Sequence, residues 1–286
     1  MAFKKNVPIC RTETEDEWFD FQFSIIKEIF DKANLEGDAN ILLAGDIFDR
    51  SIPSIKIINR LLMLYKKHSY LNIFGIAGNH DLKYHNFSLI NESGYDTLTQ
   101  GEFFNHDPNI SEHHFNTEYT PEWLENEITL CHHLCFPDKK SIPPNVNAYT
   151  PDDIFKMYPD SKYIICGDYH QGHVTEKDGR FVIVPGCTTV QASDLVDYKP
   201  RVYVLDTDEG TVEPIYLYNP TQNIDISHIE EKHDRDDRIN EFIDKLKRDN
   251  KLSLSFTDNL KNILHTKIDK DVKEIIIQLM EEVDDN

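Results

Sequence analysis

The chain has 286 residues, 39% of them hydrophobic and 28% charged, enough to bury a sizeable core in one large domain or a large domain with a small companion. Thirty basic residues against 51 acidic leave a net charge of −21, which excludes the broad cationic surface that grips a phosphate backbone. No apolar run approaches the ~20 residues of a membrane helix, and the first eight residues lack the apolar stretch of a secretory signal.

In chain order, residues 13–34 put Trp18, Phe21, Ile25, Ile29 and Ala33 at helical spacing behind Thr12 or Thr14 as a cap, and predict an amphipathic helix. Gly37 and Asp38 end it, and 40–44 is a short apolar run of the buried-strand kind. Pro53 opens a second helix to about residue 68, with Ile55, Ile58, Leu62 and Tyr65 on one face; 71–77 reads as a second strand. Residues 84–123 are polar, aromatic and weakly periodic, and no element is predicted there. Next come a strand at 127–131, a short helix at 151–157 behind Thr150, and strands at 163–166, 181–184, 201–206 and 211–216. The last two strands are joined by Asp208, Glu209 and Gly210, a hairpin signal. This alternation is α/β grammar. From residue 223 the pattern is helical only, at 238–248, 256–264 and 269–283, which sets a boundary near Pro220 and divides the chain into 1–220 and 221–286. The acid excess lies mostly in the first part, which has 34 acidic and 19 basic residues.

Three segments place metal-ligand residue types directly after buried-strand patterns: Gly45-Asp46 with Asp49 and Arg50, then Gly78-Asn79-His80-Asp81, then Gly167-Asp168 with His170. A fourth is the pair His132 and His133 after the strand at 127–131. Sites in α/β folds assemble at the carboxyl ends of strands, where glycine lets the chain turn sharply. Asp, Asn and His offer oxygen and imidazole donors, suited to Mn²⁺, Fe or Zn²⁺ rather than to a thiolate site. Five cysteines (Cys10, Cys131, Cys135, Cys166 and Cys187) have no C-x-x-C spacing, against a disulfide framework or zinc knuckle and in keeping with a cytoplasmic protein. His113, His114 and His173 read as surface histidines, and Trp18 and Trp123 as core.

The series G-D-x-x-D-R, G-N-H-D, a strand-end His and G-x-x-H resembles the calcineurin-like metallophosphoesterase superfamily, and within it the SbcD-type DNA repair nucleases, especially compact phage-encoded ones. Pro185-Gly186-Cys187-Thr188 and Pro200-Arg201-Val202-Tyr203 resemble features that follow the last metal motif. The resemblance implies a four-layer fold, a β-sandwich flanked by helices, over roughly residues 7–217. It also implies a metal-dependent phosphodiesterase or nuclease acting on DNA or a nucleotide, with an SbcC-like ATPase as partner. The apolar faces of the three C-terminal helices suit contact with that partner, with the body or with a second copy of the chain, and no membrane is expected as a partner. Carried over, Asp46 bridges two metals, Asn79, His132 and Asp168 complete one site, and His170 belongs to the other. His80 protonates the leaving oxygen or holds the phosphate, Asp81 orients it, and Arg50 braces the loop or meets substrate.

Two departures stand out. The family's G-H-x-H reads Gly167-Asp168-Tyr169-His170 here, and a carboxylate in place of imidazole suits Mn²⁺ or Mg²⁺. The family also opens with a D-x-H strand, whereas residues 1–12 contain no Asp, Glu or His. The expectation is therefore one strong divalent-metal site, a weak second one, and slow hydrolysis, Mn²⁺ being the first choice. The other classes to weigh are a non-catalytic binding or inhibitory protein of the same fold and a small-nucleotide phosphoesterase.

Overall fold

The computed structural model describes residues 3–35, 37, 39–117, 126–220, 223–225 and 227. The chain divides into two units, Met1–Asp225 and Ile226–Asn286; apart from Ser227 the second lies outside the described residues. The helices expected at 238–248, 256–264 and 269–283, and Trp123, fall outside them too. The first unit continues past Pro220: Thr12 N–H donates to the Asn223 carbonyl (3.1 Å), and Asp225 N–H to the Cys10 carbonyl (2.9 Å).

The first unit opens with helix α1 (Glu15–Leu35). Thr14 Oγ1 accepts the Glu17 N–H and Glu17 Oε2 accepts the Thr14 N–H, at 3.3 and 2.9 Å, which is a capping box. Strand β1 (Asn40–Leu43), helix α2 (Ile55–Lys67) and strand β2 (Asn72–Gly75) follow, with Ser54 capping α2. β1 and β2 pair in parallel, Asn40 opposite Asn72 and Leu43 opposite Gly75. Phe3 adds one parallel bridge beside Phe48, next to the loop that carries Asp46.

The stretch left without an element holds two 3₁₀ turns, helix α3 (Gly94–Gln100) and strand β3 (Ile110–His113). Then come β4 (Ile128–His133), α4 (Pro151–Met157), β5 (Tyr163–Asp168), β6 (His173–Lys177), β7 (Arg180–Val184), β8 (Arg201–Asp206) and β9 (Thr211–Tyr216). A five-stranded sheet runs in the order β3-β4-β5-β7-β6, parallel except for β6; β8 and β9 form their own antiparallel pair.

Alternation along the strands sorts the core into three apolar layers. On β5, Tyr163 and Ile165 meet Phe74 and Ile76 from the β2 segment, with Leu205 and Val212 of the β8–β9 pair closing that interior between the sheets. Ile164 and Cys166, one residue along, point the other way onto Ile154, Phe155 and Tyr158 around α4. Outside β1 and β2, Phe23, Ile26 and Phe30 of α1 pack with Ile57 and Leu61 of α2 and Tyr95 and Leu98 of α3. The result is helix, sheet, sheet, helix. Among the described residues no helix is long and apolar enough to cross a membrane.

The histidines expected on the surface are drawn inward. His113 is buried, and His173 Nε2 lies 3.0 Å from the Cys135 carbonyl oxygen. His114 Nδ1 accepts the Ala77 N–H at 2.9 Å, its ring against Phe87 and Tyr95. Burial, aided by the charge of His113, drives its pKa down to about 4. The unfolded chain takes up this proton near the ordinary value of ~6.5, so the stability His114 contributes is complete above that pH and is lost as pH falls toward 4. His114→Asn, whose amide oxygen can accept the same N–H without titrating, should flatten part of the acid limb when unfolding is followed by circular dichroism between pH 7 and 4. An identical limb in the variant would rule out this histidine as a source of acid sensitivity.

Candidate metal centre

Three glycines allow the strand ends to converge. A Cβ on Gly167 would stand 1.8 Å from the Ala44 carbonyl oxygen and 2.6 Å from His132 Nδ1. One on Gly78 would lie 2.2 Å from Asp46 Oδ1, and one on Gly45 2.4 Å from His132 Nδ1. Each glycine immediately precedes a candidate ligand: Gly45 before Asp46, Gly78 before Asn79, Gly167 before Asp168. The backbones therefore approach to within the space that a methyl group would fill, and Asp46 (φ 51°) and Asp168 (φ 87°) are themselves held in left-handed conformations.

Into this junction Asp46, His132 and Asp168 each direct one ligand atom, all within 4.8 Å of one another. Asn79 joins them, its Oδ1 3.0 Å from His132 Nε2. His132 is oriented from behind, since its Nδ1 donates to the Ala44 carbonyl at 2.7 Å and Nε2 is thereby turned toward Asp46, 3.5 Å away. His133 faces the other side of β4, its Nε2 3.0 Å from the Tyr158 hydroxyl; burial pushes its pKa down to about 4. Strand alternation thus selects His132 over its neighbour.

The donor set fits a cation. Burial works against charge on His132, yet the hydrogen bond and charge of Asp46, the Ala44 carbonyl and the charge of Asp168 outweigh it and raise the imidazole above its ordinary value. Burial likewise works against charge on Asp46, and His132 and His80 outweigh it and hold the carboxyl below its usual range. Two carboxylates, an amide oxygen and an imidazole nitrogen therefore define one buried point that favours positive charge, where a divalent metal would compete with a proton. The orientation of Asn79 reports the same field. With its oxygen inward it faces acceptors alone; with the amide reversed, its nitrogen would donate to His132 Nε2 at 3.0 Å and to Asp46 at 3.2 and 3.3 Å. The first orientation suits a bound cation, the second a neutral imidazole.

The remaining expected residues surround this point differently. His80 donates its backbone N–H to Asp46 Oδ1 (3.0 Å) and leaves its ring exposed. Asp81 is wholly buried, and its carboxylate accepts the N–H groups of Ile47 (3.1 Å), Phe48 (2.9 Å) and Gly78 (3.0 Å). Burial and the charge of Asp46 outweigh these bonds and lift its pKa to about 6. Asp81 is thus a clamp between the two ligand loops, holding the backbone on either side of Asp46 and Asn79. Arg50 is exposed and pairs with Asp49 at 3.3 Å. His170 is exposed and outside the three-residue cluster, its carbonyl accepting the Cys187 N–H (2.9 Å). Sequence reasoning missed the Ala44 carbonyl as the group that orients His132; a backbone acceptor leaves no residue-type signal.

Because the glycine contacts are with backbone and ligand atoms, they are specific to the site. Gly78→Ala should weaken Mn²⁺ binding at least about tenfold and destabilise the fold by roughly 1–3 kcal/mol. Titration calorimetry with Mn²⁺ beside denaturant melts measures both; wild-type affinity in this variant would mean that Asp46 is not held where the metal binds.

The calcineurin-like phosphoesterase family model matches residues 19–172, more than half of the chain and a span that includes Asp46, Asn79, His80, His132, Asp168 and His170. No match is found among the curated proteins. Helices enclosing packed sheets, ligands at the strand ends and the family match agree, and the chain belongs to the calcineurin-like phosphoesterase family.

Proposed function

We propose that the chain is a metal-dependent phosphodiesterase that cleaves DNA, a nuclease of the SbcD type, working in the cytoplasm and, in a phage setting, in DNA repair. The observation that carries this reading is the convergence of Asp46, Asn79, His132 and Asp168 on one buried point with the exposed His80 ring at its edge. A divalent cation, Mn²⁺ first, supplies Lewis-acid stabilisation of charge on phosphoryl oxygens when bound there. Asp46 and Asp168 fix its position, His132 contributes its Nε2 lone pair, and Asn79 its amide oxygen. His80 holds the proton delivered to the leaving oxygen. Asp46 with His170 would hold a second cation more weakly. Arg50, on the surface beside Asp49, meets the substrate or braces the loop. An SbcC-like ATPase or a second copy of the chain is the proposed partner.

A second reading, a phosphoesterase for small nucleotides, draws support from the net charge of −21, which repels a long polyanion more than a short one. The two are separated by comparing hydrolysis of oligodeoxynucleotides, nucleotide diesters and bis-p-nitrophenyl phosphate by the Mn²⁺-loaded protein. His80→Ala should leave Mn²⁺ affinity intact and lower kcat by about 10²–10⁴-fold, whereas Asp46→Ala should abolish tight metal binding. Activity that survives chelation and both substitutions would contradict a metal-dependent mechanism. Absence of hydrolysis with intact DNA binding would favour a non-catalytic member of the family.

A further inference from the structure

Just beyond Gly78-Asn79-His80-Asp81, two successive residues occupy left-handed backbone: Tyr84 (φ 53°, ψ 26°) and His85 (φ 55°). Neither is glycine, asparagine or aspartate, and each such residue costs about 1–2 kcal/mol. The turn is nevertheless pinned: the His85 N–H donates to the Leu82 carbonyl (3.1 Å), the Asn86 N–H to the Lys83 carbonyl (3.1 Å), and Asn86 Oδ1 caps the next turn at Ser88 N–H (3.0 Å). Strain held by surrounding structure points to what the strained segment presents.

It presents an imidazole. The His85 ring lies 6.0 Å from that of His80, centroid to centroid, and stands edge-on to Phe115 at 6.3 Å. Phe115 in turn meets His132 edge-on at 6.1 Å, and its backbone N–H is tied to the Ala77 carbonyl (2.9 Å), one residue before the Gly78 loop. His85 is therefore braced through one aromatic ring against a candidate metal ligand while its own ring stays exposed beside His80. An ordinary surface histidine needs neither the strain nor the brace.

We propose that His85 is a substrate-binding residue, a second imidazole that donates a hydrogen bond to a non-bridging oxygen of a phosphodiester and so positions it for His80. The proposal rests on the phosphoesterase reading above. Its chemistry suits this chain: with a net charge of −21, anionic substrate must be held by local donors. Arg50, the arginine of the G-D-x-x-D-R motif, shares its charge with Asp49.

The test uses the full chain with two variants, His85→Asn and His85→Gly, the latter free of the backbone strain. With Mn²⁺ and bis-p-nitrophenyl phosphate, both should raise KM about tenfold or more, as loss of a hydrogen bond to a charged group does, with kcat changed far less. Mn²⁺ affinity by calorimetry should be unchanged, and the melting temperature of His85→Gly should equal or exceed that of the wild type. Independently of turnover, inorganic phosphate added to the Mg²⁺-loaded protein should shift the His85 ring resonances in a ¹⁵N side-chain spectrum. An unchanged KM in both variants of an active enzyme, or His85 resonances unmoved by phosphate, overturns the proposal. Shifted resonances in a protein without hydrolysis would uphold His85 as an anion site and reject the phosphodiesterase reading instead.

Discussion

The close approach of three glycine backbones governs this structure: the Ala44 carbonyl and a Cβ on Gly167 could not both exist at 1.8 Å, nor Asp46 Oδ1 and a Cβ on Gly78 at 2.2 Å. Because those methyl groups are absent, the ends of β1, β2 and β5 come together where the sheets would otherwise splay. The residue following each glycine is then delivered to the same small volume. The two packed sheets supply the rigid frame, through the apolar layer of Phe74, Ile76, Leu130, Tyr163, Ile165 and Ile183. The glycines turn that frame into a site.

Within the junction, hydrogen bonds from the backbone do most of the positioning. The Ala44 carbonyl fixes which nitrogen of His132 faces the cluster, and the Asp81 carboxylate gathers N–H groups from both ligand loops. A buried carboxylate with three such partners is expensive to disturb, because each N–H would be left without its acceptor. Asp81 therefore stabilises the geometry that Asp46 and Asn79 need without facing the cation itself. Charge follows from geometry: acceptors converge on His132 Nε2, and positive charge at that point relieves their mutual repulsion.

Much of this was legible in the residues, and the parts that were not share a cause. Helices α1, α2 and α4 and the inner strands β4, β5 and β7 carry strong apolar periodicity, because each buries one or both faces; β8 and β9 have the bounds that their alternation predicts. The two strands that went unread, β3 and β6, are the two edges of the five-stranded sheet. An edge strand is free to be polar, as Glu112 in β3 and Glu176 and Lys177 in β6 are. For β6 a signal was available in Asp178 and Gly179, both at positive φ in the hairpin to β7. Helix α3 is seven residues long, begins with glycine and contains two threonines. It persists through the Ser93 cap and the Tyr95 hydroxyl bond to the Gly75 carbonyl, a long-range contact that propensity cannot express.

The site was more readable than the fold around it, because glycine followed by Asp or Asn at a strand end is a local pattern. What local pattern could not convey was division of labour. Asp81 and Asp46 are both aspartates beside turns, yet one holds backbone and the other faces the cluster. His132 and His133 are adjacent, and only the alternation of side chains along β4 separates them. The central claim is that one cation binds at the junction with His132 Nε2 as a ligand. Pulsed electron paramagnetic resonance on the protein loaded with less than one equivalent of Mn²⁺ tests it most directly. The account predicts a ¹⁴N coupling from a directly bound imidazole that disappears in His132→Gln; a spectrum without nitrogen coupling, or one that His132→Gln leaves unchanged, would contradict it.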